Sequence, residues 1–439
     1  MLALALFAAA AAPPQIPFEK YQLANGLTVI LSEDRRAPVA AVDLWYQVGA
    51  VDERPGRSGF AHLFEHLMFQ GSKHLNGDER TVFAMLQRNG ATNLNGTTEW
   101  DRTNYFETMP NDRLELALWL ESDRMGFLLD TVDQKKLDTQ REVVRNERRQ
   151  SVENTPYQRG EVRLVELLYP KPHPYFGAVI GSHEDLQAAS LEDVRGFFRT
   201  YYAPNNASLA IVGDFDKAKV KELVEKYFGP IPRGPDKPAI EAKTLPHTAA
   251  VRERVTDNIQ LSKILIGYIG PKPLQGHAIQ AATRILAGGK ASRLYEELVY
   301  RRKIAQDVSA SFDNSMQLGG QIEISATVQA GHTAEEVEQA LLEELKKLRE
   351  TPPSAAELDR AKRNVQAALY AALENVGGFG GKADQLNFYE MWARDPGAFT
   401  ANLEKFMAVT PQDVQNAVRE FLGEEKNVVI EIAPAGGGK

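Results

Sequence analysis

The feature that most restricts how this 439-residue chain can fold is a closing signature that occurs twice. Ser190-Leu-Glu-Asp opens a helical pattern that runs to Tyr201, and a strand-like run at 208–213 follows. Thr410-Pro-Gln-Asp opens another that runs to Phe421, and a strand-like run at 427–432 follows. A Ser or Thr with an acid three residues later satisfies the free backbone donors of a helix start. Each signature ends a half of the chain that begins with strand-like runs, 27–31 and 40–48 in one half, 251–255 and 262–268 in the other. A second strand group, such as 321–328, comes further along. Between the halves, the proline-rich stretch 229–246 has almost no apolar periodicity and reads as a linker. This repetition implies an internal duplication. Helices and strands mixed without strict βα alternation imply α+β domains. The expected architecture is two homologous, duplicated domains, each a mostly antiparallel sheet with helices packed on one face. They span 15–230 and 249–439, with the linker at 231–248.

Composition narrows the function. Apolar residues make up 43% and charged residues 25%, the balance of a globular protein in water. A net charge of −8 argues against a general nucleic-acid binder. The absence of cysteine excludes disulfides, thiolate metal sites and cysteine nucleophiles together. Residues 2–12 are apolar, fewer than the roughly 20 needed to span a membrane, and end in alanines before Pro13 and Pro14. That pattern resembles a secretory signal peptide over 1–14, although no Lys or Arg precedes the apolar run. The expectation is an exported, periplasmic protein without a membrane span.

The chemistry concentrates in Gly59-Phe-Ala-His-Leu-Phe-Glu-His-Leu-Met-Phe-Gln-Gly71. His62 and His66 are four apart, so on a helix they lie one turn apart on the same face. Two imidazoles so placed can bind one Zn²⁺. Glu65 falls on that face too and can act as general base toward water at the metal. The order H-x-x-E-H inverts the common H-E-x-x-H zinc motif. Chance histidines on a solvated helix are the bland alternative. The surrounding Phe60, Leu63, Phe64, Leu67, Met68 and Phe69 predict burial instead, and buried polar side chains without a shared partner are costly.

A third protein ligand is still needed. Gln140-Arg-Glu-Val-Val-Arg-Asn-Glu-Arg-Arg-Gln150 reads as helical and offers Glu142 and Glu147. With the apolar direction midway between Val143 and Val144, Glu147 points within about 10° of it and Glu142 about 150° away. Glu147 is therefore the expected ligand, and Glu142 a surface partner for Arg145 or Arg141. Gln140 also lies near the inward direction, where it is expected to support the ligands. The other histidines, His74, His173, His183, His247, His277 and His332, sit in polar or loop-like contexts and are expected on the surface.

With these residues in place, the sequence resembles the pitrilysin/insulinase family of zinc metallopeptidases. It is most similar to half-length members such as the catalytic subunit of mitochondrial processing peptidase and its bacterial relatives. Beyond the H-x-x-E-H helix and Arg145-Asn-Glu-Arg-Arg149, the resemblance rests on Asn93-Leu-Asn-Gly-Thr97 with Asp101-Arg-Thr-Asn-Tyr105. It extends to Tyr201-Tyr-Ala-Pro-Asn-Asn-Ala207, leading into Ile211-Val-Gly-Asp214. It implies a zinc endopeptidase, with one Zn²⁺ per chain, acting on peptides or unfolded segments received between two domains. An edge strand near Asn95 would pair with substrate, which makes Asn95 an expected substrate contact. Asn95-Gly96 stands where the family usually has Asn-Ala, and Asn-Gly is also a hairpin signal in its own right.

One departure bears on assembly. Active members of the family take an Arg and a Tyr, seven residues apart, from the second half of the assembly to stabilise the developing oxyanion. Aligning Leu294, Leu298, Ala305 and Val308 puts Val299 and Gln306 at those places, with Arg301 and Arg302 out of register. The expectation is the catalytic subunit of a heterodimer whose homologous partner carries the Arg/Tyr pair. The alternatives are a self-sufficient homodimer and a non-catalytic scaffold of the same fold. Gly377-Gly-Phe-Gly-Gly381 reads as an ordinary turn between helices rather than a substrate-handling loop.

Overall fold

A computed structural model of the chain describes residues 14–75, 77, 79–245 and 247–436. The expected signal segment, apart from Pro14, lies outside the described residues. Among the described residues the strands form two sheets. The first contains β1 (Glu19–Gln22), β2 (Thr28–Glu33), β3 (Val39–Tyr46), β4 (Thr92–Thr98), β5 (Thr103–Pro110) and β6 (Ala207–Gly213). Its order is β1-β2-β6-β3-β5-β4. The second contains β7 (Val251–Asp257), β8 (Lys263–Ile269), β9 (Ala305–Phe312), β10 (Gln321–Val328) and β11 (Val428–Pro434), in the order β7-β11-β8-β10-β9. With β1 set aside, the two orders correspond strand for strand. In each, the first and last strands of the half pair in parallel, and the other pairs are antiparallel. This correspondence is the duplication expressed as topology.

Burial follows sequence pattern. The central strand β6 (ASLAIVG) is buried at every residue, as a strand covered on both faces must be. β7 alternates between half-buried and exposed side chains, as expected at a sheet edge. β4 and β9 close the opposite edges and are also largely exposed.

The first half adds α1 (Phe60–Leu67), α2 (Glu79–Arg88), α3 (Leu114–Phe127), α4 (Gln134–Arg148), α5 (Gln158–Leu168), α6 (His183–Ala188), α7 (Leu191–Tyr201) and α8 (Lys217–Phe228). The second adds α9 (His277–Ala287), α10 (Ala334–Glu350), α11 (Ala355–Ala372), α12 (Lys382–Ala393), α13 (Ala398–Ala408) and α14 (Pro411–Phe421). Ser190 and Thr410 cap α7 and α14 with reciprocal side-chain and backbone bonds to Asp193 and Asp413. Within each half, helices pack on one face of the sheet around a continuous apolar core. The other face receives a helix from the opposite half. α12 covers β6 and β3, where Leu386 and Tyr389 join Ile30, Ala41 and Val212. α5 lies on β8 and β11, where Leu164 and Leu168 join Leu265, Ile430 and Ile432. Gly160 permits that approach, because a Cβ there would sit 2.3 Å from Ile432 Cδ1.

Between α8 and β7 the described residues form no helix or strand. Lys237 in this stretch reaches back to the first half, donating to Asp52 at 2.9 Å and to the Gln47 carbonyl at 2.7 Å.

Candidate metal centre

The helix that carries the two histidines is anchored by its apolar side. Phe60, Leu63, Phe64 and Leu67 occupy one helical face and are all buried. Phe64 stacks on Tyr202 with 5.0 Å between ring centroids. Gly59 begins the helix at φ +86°, and a Cβ there would lie 2.6 Å from the Ile180 carbonyl oxygen. Only glycine fits both constraints. Glu53 accepts the backbone N–H groups of Gly59 and Ala61, both at 2.9 Å, so its carboxyl oxygens meet the free donors of the helix start, while burial pushes that carboxyl up to about 8.

His62, His66 and Glu147 converge. His62 Nε2 lies 3.7 Å from Glu147 Oε1, and His66 Nε2 lies 3.2 Å from Glu147 Oε2. Ligand atoms of the three residues all lie within 4.8 Å of one another, and no other group of three such side chains converges among the described residues. Burial, reinforced by neighbouring His66, lowers the His62 imidazole pKa to about 4, so it is neutral near pH 7. The hydrogen bond from His66 holds the Glu147 carboxyl below the usual range. Neutral imidazole and ionised carboxylate are the forms that bind zinc. The two contacts also bracket the roughly 3.3 Å between corners of a tetrahedron with bonds of about 2.0–2.1 Å. The residues fit a zinc ion.

The route by which Glu147 arrives differs in part from helical phase. α4 buries Leu137, Gln140, Arg141 and Val144, whereas Val143 is 39% exposed and lies outside the stripe. The inward direction is therefore rotated away from Val143. Glu147 reaches the histidines from the flank and is 42% exposed. Glu142 points outward and pairs with Arg145. Gln140 is buried, and its Oε1 has no hydrogen-bond partner among the described residues.

Glu65 lies against β4. Thr98 Oγ1 donates to Glu65 Oε2 at 2.7 Å. Burial pushes the Glu65 carboxyl up, and the Thr98 hydroxyl opposes that rise. A Cβ on Gly96 would lie 3.1 Å from Glu65 Cγ and 3.0 Å from Phe69 Cε2, so glycine leaves room for the carboxylate. Asn95 and Gly96 are not a turn; both lie within β4, with Asn95 opposite Phe106 of β5. Asn95 is exposed on the open edge, its side chain on the face away from Glu65. Sequence reasoning missed Thr98 and Glu53. Period-two alternation from Gly96 would have put Thr98 on the Glu65 face, had 95–96 been read firmly as strand.

The other histidines have protein partners: His74 with Asp123, His173 with Thr244, His183 with Glu153, His247 with the Leu168 carbonyl, His277 with Asn402 and His332 with Glu336. His173, His183, His247 and His277 are half-buried rather than on the surface, and burial lowers the His173 pKa to about 4. In the second half, Val299 packs against the apolar core while Gln306 is exposed on β9. Arg302 is paired with Glu297 and Glu343, and Arg301 with Glu297.

Comparison with known proteins places the chain in a family. The family described as insulinase (peptidase family M16) matches residues 28–169, and the one described as peptidase M16 inactive domain matches 188–365. Zinc protease PqqE of Helicobacter pylori is 30% identical over 427 residues, which cover 95% of this chain and 93% of that protein. The beta subunit of mitochondrial-processing peptidase from Blastocladiella emersonii is 22% identical over 426 residues, covering 94% and 88%. The crystal structure of a protease from Helicobacter pylori superimposes with a TM-score of 0.88 at 27% identity, covering 96% of this chain and all of that one. The chain therefore belongs to peptidase family M16, the insulinase family.

Proposed function

We propose that this chain is a zinc-dependent endopeptidase acting on peptides or unfolded segments. The observation that carries the reading is the meeting of Glu65, held by Thr98 at an open sheet edge, with the converging donors of His62, His66 and Glu147. Zinc held by those three side chains would supply Lewis acidity toward a peptide carbonyl and toward water. Thr98 occupies Glu65 Oε2, which leaves Oε1 to take a proton from the attacking water and return it to the leaving amine. No described strand pairs with the outer edge of β4, and an extended backbone can add there as a further strand, with Asn95 beside it. A zinc store would have no use for Glu65 in that position.

The oxyanion still needs donors. Val299 has none, Gln306 offers a neutral amide, and Arg301 and Arg302 are engaged by acidic neighbours. We infer that a homologous subunit carrying an Arg and a Tyr completes the site, making this chain the catalytic half of a heterodimer. The test is a steady-state assay on one unstructured peptide, with the zinc-loaded chain alone and then titrated with such a subunit. Saturable activation near one-to-one stoichiometry, roughly 100-fold or more, is expected for restored oxyanion donors. Full activity of the chain alone supports the homodimer instead. Absence of zinc and of hydrolysis in both arms supports the scaffold.

Export is inferred from the apolar run at 2–12. No described helix is long and apolar enough to cross a membrane. Amino-terminal sequencing of periplasmic protein should find the chain beginning after the alanine run, and an intact Met1 there would reject cleavage.

A further inference from the structure

The loop Gly377-Gly-Phe-Gly-Gly381 lies against the first sheet. It leads into α12 and packs on the face of the sheet opposite α1. A Cβ on Gly377 would lie 2.5 Å from Ala41 Cβ and 2.8 Å from Thr108 Oγ1, so the backbone rests directly on β3 and β5. Gly378 and Gly380 have φ of +77° and +71°, a conformation that side chains rarely adopt. Gly381 N–H donates to the Gly378 carbonyl at 3.1 Å, and Gly380 N–H to Asp384 at 2.8 Å. Lys382 beyond the loop pairs with Asp34. The loop is a fixed mount, and it holds one large side chain.

Phe379 is 68% exposed. Its ring meets Phe106 edge to face, with centroids 5.1 Å apart. Phe106 is opposite Asn95 of β4, and a Cβ on Gly378 would lie 3.5 Å from the Asn93 side chain. The ring therefore stands over the last two strands of the sheet, at the level of residues 93–95, beside the edge that no described strand pairs with. The pairing of β4 with β5 shifts register between Thr92 and Asn95, and Asn93 has φ +50°. Regular pairing resumes at Asn95, level with the ring.

A peptide added to β4 would lie about 4.8 Å beyond it and turn alternate side chains to opposite faces. One set faces Glu65 and α1. The other faces the surface where Phe379 stands. Of the side chains there, Asn93, Asn95 and Phe106 carry no charge, and the Asp384 carboxyl is engaged by the Gly380 N–H. We propose that Phe379 forms a subsite for one apolar or aromatic side chain of an extended peptide substrate, on the face opposite Glu65. This rests on the peptidase reading above, and it assigns that site a substrate preference.

Binding tests the subsite without requiring turnover or a partner. Fluorescent derivatives of one unstructured peptide, each with a single Phe-for-Ser exchange along its length, are titrated against zinc-loaded Glu65→Gln protein by anisotropy. One position is expected to favour Phe by about tenfold in Kd, the scale of a partly enclosed aromatic contact. Phe379→Ala should reduce that preference below about twofold, and Phe379→Leu should keep most of it. An unchanged preference in Phe379→Ala overturns the proposal. So does the absence of any discriminating position, or equal weakening of Phe and Ser peptides in both variants. Melting temperatures within about 2 °C of wild type establish that the loop change is local. Cleavage by the wild-type chain with its partner is read separately. Selective binding without cleavage would keep the subsite and reject the peptidase reading; cleavage without selectivity would do the reverse.

Discussion

Thr98 Oγ1 donates to Glu65 Oε2 at 2.7 Å, so the edge strand of the first sheet and the histidine-bearing helix meet at a single carboxylate. That bond fixes which oxygen of Glu65 stays free. Thr98→Val keeps the shape and removes the hydroxyl, and should lower kcat about tenfold or more, the worth of a hydrogen bond to a charged group. KM and zinc stoichiometry should change little, and Thr98→Ser should restore kcat to within about threefold. A fall in melting temperature with kcat intact would instead mean that the bond is only structural.

Glu65→Gln should retain zinc and lose at least about a thousandfold in turnover, because the metal-binding side chains are untouched while the base is gone. Near-normal turnover in a metal-loaded variant would remove Glu65 from its assigned role.

The two glutamates of α4 should behave differently. Glu147→Gln is expected to lower zinc affinity at least tenfold, since Glu147 reaches both histidines, whereas Glu142→Gln only loses its contact with Arg145. Zinc titration of both variants decides the matter, and the reverse ranking would move the ligand to Glu142.

Asp101 gives a pH dependence with a definite sign. It is buried where the β4–β5 turn meets the β9–β10 turn, accepting bonds from the Tyr175 hydroxyl at 2.6 Å and the Gln317 backbone at 3.1 Å. The Gln317 side chain donates to it as well. Burial pushes its carboxyl from 3.8 up to about 6, despite these donors. A folded pKa above the unfolded one means that the native state binds this proton more tightly. The contribution is therefore complete below about pH 4 and is lost as pH rises through about 6, by up to about 3 kcal/mol. Urea unfolding at pH 4 and pH 7 should show a wild-type decline that Asp101→Asn reduces, because buried Glu53 and Glu323, pushed up to about 8 and about 7, still contribute to it. Equal pH dependence in the two proteins would reject the assignment.

Local chemistry made much of this legible in the sequence. The caps at Ser190 and Thr410, the continuous apolar run of β6 and the spacing of His62, Glu65 and His66 each depend on residues within a few positions of one another. Gly96 is different. Its departure from alanine becomes intelligible only when Glu65 Cγ is seen 3.1 Å from the missing Cβ. Val143 shows the limit of helical phase: two adjacent valines cannot say which of them faces inward, and Leu137 and Gln140 settled it through tertiary packing. The placement of α5 and α12 on each other's sheets, and of Phe379 beside β4, depends on contacts between residues far apart in the chain that no periodicity encodes.

That exchange of helices has a mechanical meaning. Each half lends the other a helix, so the two are clasped as well as tethered. A protease that nicks the stretch 239–245, which forms no helix or strand, should leave two fragments that elute together and melt in one transition. A gene split at the same place should yield two polypeptides that assemble when made together, while either one made alone leaves half of a sheet bare.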